Sequence, residues 1–358
     1  MELVMIKKTF ILLLLFSSLG YSYYAEKDTL TPVPDKPSQS PLEGYKPSME
    51  SSGGYVYAQY FLWRVIEGET DYAIKGGPLE FPPGQVNMDA IGNLKTAKFD
   101  WSSGVRVGLG WRFTPYKWEL EGNYTYFSTT GSNSVSRPLL QTLNSTFPGS
   151  TSGPLVRAKS HINLDYQMGN LFLAKRFILD DYLIMKGLLG VTGGYLEQDW
   201  TIHYFSERPS IWDRNNTTHS DWSYWGIGLR SGFESDWFFG KGFSLFGGFN
   251  FSILYGHYKN HLRDEIFPQS ASPFNVQNTH LSENRIIPHY ELSLGPRYEK
   301  MFENWGFSFY ALYELNIFQN LHYVMRHGAG YVNDGRTNFH TNSLTGFHGL
   351  TLGGQVNF

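Results

Sequence analysis

The chain has 358 residues, a formal net charge of −3 and no cysteine. This charge gives no strong field that would attract nucleic acid, and the lack of cysteine excludes disulfides, thiol catalysis and thiolate metal sites. Aromatic residues make up 17% of the chain. Charged residues also make up 17%, which is below the roughly 25% found in soluble domains. This composition fits an all-β protein, either soluble or a transmembrane barrel in which alternate residues face lipid.

The amino-terminal segment has the order of parts that a secretory signal peptide requires. Lys7 and Lys8 precede an apolar run over residues 9–19 that is too short to span a bilayer, and small residues follow it. We predict a signal peptide over residues 1–22, recognised by the secretion translocon; a buried cytoplasmic helix is the alternative. Residues 23–54 are rich in proline, serine and charge, which predicts an extended periplasmic leader.

From Tyr55 onward the sequence alternates repeatedly between apolar and polar residues, as half-buried strands do. Most of these runs exceed the roughly 9–11 residues that a strand needs to cross a bilayer. The runs cover residues 55–67, 99–113, 117–127, 160–177, 181–204, 221–237, 242–258, 285–300, 304–318 and 344–358.

The connections between the runs alternate between short turns and long polar loops. The long ones cover about 68–98, 128–158, 205–220, 259–284 and 319–343. Outer-membrane barrels sort their connections in this way, with short periplasmic turns and long extracellular loops. We therefore predict a closed antiparallel transmembrane β-barrel over residues 55–358, with about ten strands or twelve. A soluble sandwich or lipocalin-like protein is the alternative.

Aromatic residues near the ends of the runs fit the girdles that barrels place at the membrane interfaces. The tryptophans concerned are Trp101, Trp118, Trp222, Trp237 and Trp305. The last run ends on an aromatic residue, which looks like the signal read by the barrel assembly machinery. Its predicted lipid-facing residues are Leu350, Leu352, Val356 and Phe358.

Polar and charged residues of the runs are predicted to point into the lumen, because charge on the lipid face costs roughly 2–4 kcal/mol at midplane. They would form either a polar conduit or an interior filled by neutralising charges, since ten strands enclose little space. The predicted pore-lining residues are Arg106, Arg112, Lys117, Glu119, Glu121, Asn123, Asp165, Gln167, Lys186, Arg230, Glu234, Asn250, His289, Glu291, Arg297, Glu314 and Asn316.

Two other functions are compatible with the pattern. His257, His261, Asp264 and Glu265 lie close together in sequence and would supply a base or metal ligands at the extracellular rim. Their spacing matches no known ligand pattern, so we expect no enzyme, metal or cofactor. The five long loops would alternatively form an adhesive surface, and their composition carries no binding signature.

Several stretches resemble the Legionella-type major outer-membrane protein family, which also occurs in chlamydia-related bacteria. They include KFDWSSGVRVGLGW, KWELEGNYTYFST, HINLDYQMGNLFLAKRFI and IIPHYELSLGPRYE, and with others they cover most of residues 55–318 and the terminal strand. The resemblance implies a pore-forming, multi-pass protein of the bacterial outer membrane. It departs from the cysteine-crosslinked chlamydial porins, because cysteine is absent.

The combined expectation is a porin for passive diffusion of small hydrophilic solutes or ions. The alternative is a surface adhesin or a structural barrel with a plugged lumen. Expected partners are outer-membrane lipid, the translocon and barrel assembly machinery during biogenesis, and the solutes themselves. A homo-oligomer is left open, and nucleic acid is not expected.

Overall fold

The computed structural model describes residues 52–78, 92–113, 118–137, 139, 141–147, 155–180, 182–206, 215–267, 272–327 and 338–358. The predicted signal peptide, most of the predicted leader and Lys117 lie outside these residues. Within the described ranges, no helix is long and apolar enough to cross a membrane.

The described residues form thirteen strands, and ten of these form a closed antiparallel barrel in the order β1-β13-β12-β11-β10-β9-β8-β7-β5-β4. The prediction of a closed ten-stranded barrel is confirmed. The strands are β1 Gly53–Glu67, β2 Asp71–Pro78, β3 Asn93–Thr96, β4 Ser102–Phe113, β5 Trp118–Ser136, β6 Gln141–Ser145, β7 Leu155–Asp180, β8 Leu183–Ser206, β9 Asn215–Gly240, β10 Phe243–Phe267, β11 Phe274–Met301, β12 Gly306–His327 and β13 Asn338–Asn357.

The closing seam joins the first and last strands, from Tyr55 opposite Asn357 to Glu67 opposite Thr345. Closure removes sheet edges, which is what the hydrocarbon requires, because it offers no partner for backbone polar groups. One of the short turns, which has two residues, joins β9 to β10. Both of its residues have positive φ, 53° at Lys241 and 85° at Gly242. Such primed turns match the twist of the flanking strands.

The barrel is taller than the membrane. At about 3.3 Å per residue and a tilt of about 45°, the 25 residues of β10 rise roughly 60 Å, twice the ~30 Å hydrocarbon core. The outer wall of β10 is apolar up to Tyr255 and polar from His257 onward. We call the apolar part of the wall the membrane zone. The polar part is the collar, formed by residues 128–136, 155–166, 196–206, 215–224, 256–267 and 274–285.

The interior of the collar is a packed apolar core. On β7, Ile162 and Leu164 are fully buried, whereas His161 and Asp165 lie on the outer face. In the collar the inner face of the strand is therefore apolar and the outer face polar, the reverse of the arrangement in the membrane zone. Water surrounds the collar, so the hydrophobic effect places apolar side chains inside it, whereas lipid accepts them outside in the membrane zone.

This reversal explains one wrong prediction: Asp165 and Gln167 do not point into the lumen. They alternate along β7 with the buried residues Leu164, Tyr166 and Met168. The Tyr124 hydroxyl donates to Gln167 on the outer wall at 2.8 Å. The prediction took polarity as the mark of the inner face, and at this height polarity marks the outer one.

Two of the predicted polar loops contain a small sheet of β2, β3 and β6, which we call the plug sheet. The Tyr204 hydroxyl of β8 donates to the Tyr72 carbonyl at 2.7 Å, and Phe147 meets Trp200 edge-on at 5.5 Å. The plug sheet is therefore packed into the collar core. Sequence periodicity missed it because β3 and β6 have only four and five residues.

The other long loops are also shorter than predicted, because the barrel strands continue through the collar. Trp222 was predicted for an interfacial girdle, but it lies inside the collar, 2% exposed and stacked on Tyr258 at 6.0 Å. The other predicted girdle tryptophans are exposed on the outer wall: Trp101, Trp118, Trp237 and Trp305.

The reversed polarity predicts opposite effects for neighbouring substitutions on β7. Leu164→Asn would place an unpaired amide in the core and lower the free energy of unfolding by about 2–4 kcal/mol. Asp165→Asn would change it by less than ~0.5 kcal/mol, because that side chain lies on the outer wall. Urea unfolding in detergent micelles measures both. Similar losses for the two variants would contradict the assignment of faces.

Candidate functional site

The lumen of the membrane zone is a charged chamber. Alternation along the strands fixes which side chains face it, and the space between them is about 150 Å³, enough for on the order of ten water molecules. The polar and charged residues that line the chamber include Tyr55, Tyr57, Arg106, Arg112, Glu119, Glu121, Arg176, Lys186, Arg230, Glu234, Asp236, Glu291, Arg297, Glu299 and Glu314.

Glu119 is the centre of the lower part of the chamber. Its carboxylate lies 2.9 Å from Arg176, 3.3 Å from Lys186 and 3.6 Å from Arg112, and its side chain is 1% exposed. The Tyr55 hydroxyl also donates to it at 2.5 Å. A buried carboxylate persists only with such compensation, because desolvation of a lone charge is expensive.

Lys186 links three walls of the chamber. Its ammonium lies 2.8 Å from Glu234 on β9 and 3.6 Å from Glu121 on β5, in addition to its contact with Glu119. One cation is thus shared by three carboxylates. The network ties strands that are not adjacent in the sheet and narrows the lumen at this level.

Two further ion pairs cross the upper part of the chamber, and a third, between Arg297 and Asp236, lies near the periplasmic ends of the strands. Arg230 lies 2.5 Å from Glu291, Arg297 lies 3.0 Å from Asp236, and Arg106 lies 3.1 Å from Glu314. Arg106 also donates to Gln59 at 2.7 Å and to Thr125 at 2.9 Å. The pairs Arg106–Glu314 and Arg230–Glu291 form the upper polar layer of the chamber.

Above this layer, aromatic rings from five strands seal the lumen; we call them the aromatic ceiling. Phe61 stacks on Trp63 at 3.8 Å, and Tyr166 lies 5.0 Å from Phe347. The Arg106 guanidinium lies 5.7 Å from the Trp63 ring, in cation–π range. The ceiling consists of Phe61, Trp63, Phe127, Tyr166, Phe318 and Phe347, each at most 2% exposed.

A second seal lies in the collar, where the plug sheet meets the end of β12. We call residues 319–326 the β12 tip. Arg326 donates two hydrogen bonds to the Asp71 carboxylate of β2, at 2.6 and 2.7 Å. Its guanidinium also lies 5.2 Å from the Phe147 ring. This bidentate pair, which we call the latch, holds the two halves of the seal together.

The structure places thirteen of the seventeen predicted pore-lining residues in the chamber wall. Lys117 lies outside the described residues, Asp165 and Gln167 lie on the outer wall, and His289 is buried with its ring 3.9 Å from that of Phe318. Arg176, Asp236 and Glu299 also line the chamber and were missed. Counting alternate positions along β7, β9 and β11 would have found them. The predicted residues that line the chamber are Arg106, Arg112, Glu119, Glu121, Asn123, Lys186, Arg230, Glu234, Asn250, Glu291, Arg297, Glu314 and Asn316, and their role in a pore stays a prediction.

The candidate catalytic residues of β10 do not converge. His257, His261 and Glu265 lie on the outer wall of the collar, whereas Asp264 is buried inside it and accepts a hydrogen bond from Thr218. Among the described residues, no three His, Asp or Glu side chains are arranged to hold a metal ion. This cluster therefore offers neither a base with its orienting partner nor a metal site.

The terminal strand has the predicted orientation. Leu350, Leu352, Val356 and Phe358 are all exposed on the outer wall, and the Phe358 amide donates to the Gly54 carbonyl at 2.9 Å. Their recognition by the assembly machinery stays a prediction.

The family model described as Legionella pneumophila major outer membrane protein precursor matches residues 52–358. The chain belongs to this family. The resemblance inferred from the sequence is confirmed, and this family member is a β-barrel of the bacterial outer membrane.

Solved structures with a similar architecture share little sequence with this family member. The Escherichia coli outer membrane protease OmpT is 9% identical with a TM-score of 0.41, covering 85% of this chain and 96% of its own. The Yersinia pestis attachment invasion locus protein Ail is 12% identical with a TM-score of 0.25, covering 86% and 99%. The Pseudomonas putida toluene transporter TodX is 9% identical with a TM-score of 0.29, covering 89% and 92%. No curated protein matches the chain in sequence.

The buried charges of the chamber predict a coupled pair of substitutions. Arg106→Leu alone would leave Glu314 unpaired and lower the free energy of unfolding by about 2–4 kcal/mol. Adding Glu314→Leu would restore at least half of that loss, because neither charge would then remain. Urea titrations of the single and double variants measure the coupling. Additive losses would show that the two groups do not depend on each other.

Proposed function

We propose that this family member is a pore-forming protein for small hydrophilic solutes or ions and that the described conformation is its closed state. The observation that carries the proposal is the charged lining of the whole membrane zone. A barrel that served only as a scaffold would fill this lumen more cheaply with apolar side chains, because buried ion pairs rarely stabilise a fold relative to well-packed hydrophobic residues.

Closure is located above the chamber. The buried rings of the aromatic ceiling occupy the lumen above Arg106, and the latch joins Arg326 to Asp71 in the collar beyond them. Passage of a solute therefore requires the latch to break and the ceiling to separate. The chamber itself already supplies hydrogen-bonding partners for a hydrated solute.

The charge balance of the chamber predicts weak selectivity. Six basic and seven acidic side chains line it, so the net charge is about −1 when all are ionised. Glu299 adds a carboxylate near the periplasmic ends of the strands. The open pore would slightly favour cations and would not exclude anions.

A second candidate function follows from the two seals. A barrel closed at both the ceiling and the collar is also suited to a surface protein whose outer wall and loops bind a partner. Attachment to host cells that depends on the loops, without any conductance from folded protein, would favour this function. Catalysis lies outside both proposals, and the absence of enzymatic activity stays a prediction.

Planar-bilayer recordings test the proposed pore. Wild-type protein should conduct in rare, discrete steps. Arg326→Asp should raise the open probability at least tenfold, because two carboxylates would face each other at the latch. The charge-swapped pair Asp71→Arg with Arg326→Asp is the matched control and should return it to the wild-type level. Folded barrels that never conduct in any of the three forms would refute the proposed function.

Selectivity gives an independent prediction. In the Arg326→Asp background, Lys186→Met removes the cation shared by Glu119, Glu121 and Glu234. The reversal potential in a salt gradient should then move toward cation selectivity. Lys175→Met is the control, because Lys175 lies on the outer wall against Trp118 at 5.2 Å. Equal shifts from both lysines would mean that ions do not pass through the chamber.

A further inference from the structure

Among the described residues, one edge of the collar has no neighbouring strand. β11 and β12 pair from Met301 opposite Gly306 up to His289 opposite Phe318, and no pairing is found beyond that point in the described residues. β11 nevertheless continues to pair with β10 up to Phe274. The other edge of β11, over residues 274–288, therefore faces no ladder partner among the residues that the structure describes.

The strand that would cover this edge turns away from it. Between Phe318 and His322 the pairing of β12 with β13 shifts, and Asn320 has a positive φ of 61°. Asparagine adopts the left-handed conformation more readily than other non-glycine residues, so Asn320 permits a sharp bend here. Beyond the bend, the β12 tip lies in the collar interior without a backbone ladder to β11, and its Tyr323 ring lies 4.4 Å from the Arg285 guanidinium of that strand.

Contacts across the lumen hold the tip in this position. The Asn260 amide of β10 donates to the Tyr323 carbonyl at 2.5 Å, and His322 lies 2.8 Å from Glu67 on β1. The Trp222 ring of β9 meets His322 edge-on at 6.2 Å. The tip thus contacts walls that lie on either side of its own place in the sheet.

An open edge is a template for strand addition, because its backbone groups are aligned and unpaired. The free edge of β11 begins where the ladder with β12 ends, so the β12 tip is the segment best placed to extend it. Pro288 removes one backbone donor at the junction but leaves the following positions able to pair. The edge is longer than the tip and can accept all of it.

We infer that the free edge of β11 is the acceptor for the β12 tip in a second conformation of the collar. The end of β12 pairs with β13 from His322 opposite Ser343 to His327 opposite Asn338, so this part of β13 moves with the tip. The motion breaks the latch and the contacts with Asn260 and Glu67, and the other edge of the tip forms a new antiparallel ladder with β11. Phe318 lies at the base of the tip and belongs to the aromatic ceiling, so the same motion disturbs both seals. The consequence for conduction rests on the proposed function; the strand transfer does not.

A second copy of the chain in the same membrane could pair with this edge only in parallel, which is slightly less stable per residue than antiparallel pairing. Two copies related by an axis along the membrane normal have β11 rising in the same direction. Antiparallel pairing of the two edges would need opposite directions. The occupant that the geometry favours is therefore the chain's own tip.

Disulfide trapping tests the transfer directly, since the natural chain has no cysteine. Asn284→Cys is combined with a second cysteine in the tip. If the β11–β12 register of His289 opposite Phe318 continues upward, Asn284 would lie opposite Tyr323. If the two-residue shift at the bend is retained, Asn284 would lie opposite Met325. Tyr323→Cys or Met325→Cys should therefore crosslink. Val324→Cys is the control, because its side chain would point to the opposite face of the sheet.

The readout is the fraction of crosslinked protein, measured by mass spectrometry under mild oxidation. Adding Arg326→Asp should raise the yield of a reactive pair at least fivefold, and the charge-swapped latch should reverse this rise. Equal yields at 323, 324 and 325, or no crosslink despite a broken latch, would overturn the transfer. If Arg326→Asp conducts without any crosslink, the pore stands and the transfer fails. If the crosslink forms in barrels that never conduct, the transfer stands and the pore fails.

Discussion

The outer wall of this barrel faces two solvents, and that constraint determines where nearly every side chain lies. In the membrane zone, lipid accepts apolar residues, so charged and polar residues must turn inward. In the collar, water surrounds the wall and the apolar residues turn inward instead. A single strand such as β10 obeys both rules, with Phe251 and Ile253 outside below Tyr255, and Tyr258 and Leu262 inside above it.

The division of the lumen follows from the same constraint. Below, the inward charges are close enough to one another that each must be compensated, which produces the shared contacts of Glu119 and Lys186. Above, buried aromatic and aliphatic residues pack against one another in one continuous cluster among the described residues. The aromatic ceiling is the boundary between these regions. Conduction through this protein would therefore require its upper half to rearrange.

The sequence was sufficient to predict the barrel, because the apolar–polar alternation and the spacing of turns have direct physical causes. It was also sufficient for Arg106, Glu119 and Glu314, whose charge excludes them from the lipid face. It failed at Asp165, where the same alternation continues with reversed meaning, because a periodic pattern does not state which solvent lies outside. The latch between Asp71 and Arg326 joins residues that are 255 positions apart, and no local pattern indicates such a contact.

The most direct test of this account is a cysteine scan along β10 with a water-soluble thiol reagent, one position at a time from Phe243 to Phe267. In the membrane zone, the inward positions around Phe246 and Asn250 should react through the chamber, and the outward ones should be protected by lipid. Beyond Tyr255 the pattern should reverse, so that His257, Lys259 and His261 react while Tyr258 and Leu262 do not. A reactivity pattern that keeps the same phase along the whole strand would contradict the central claim.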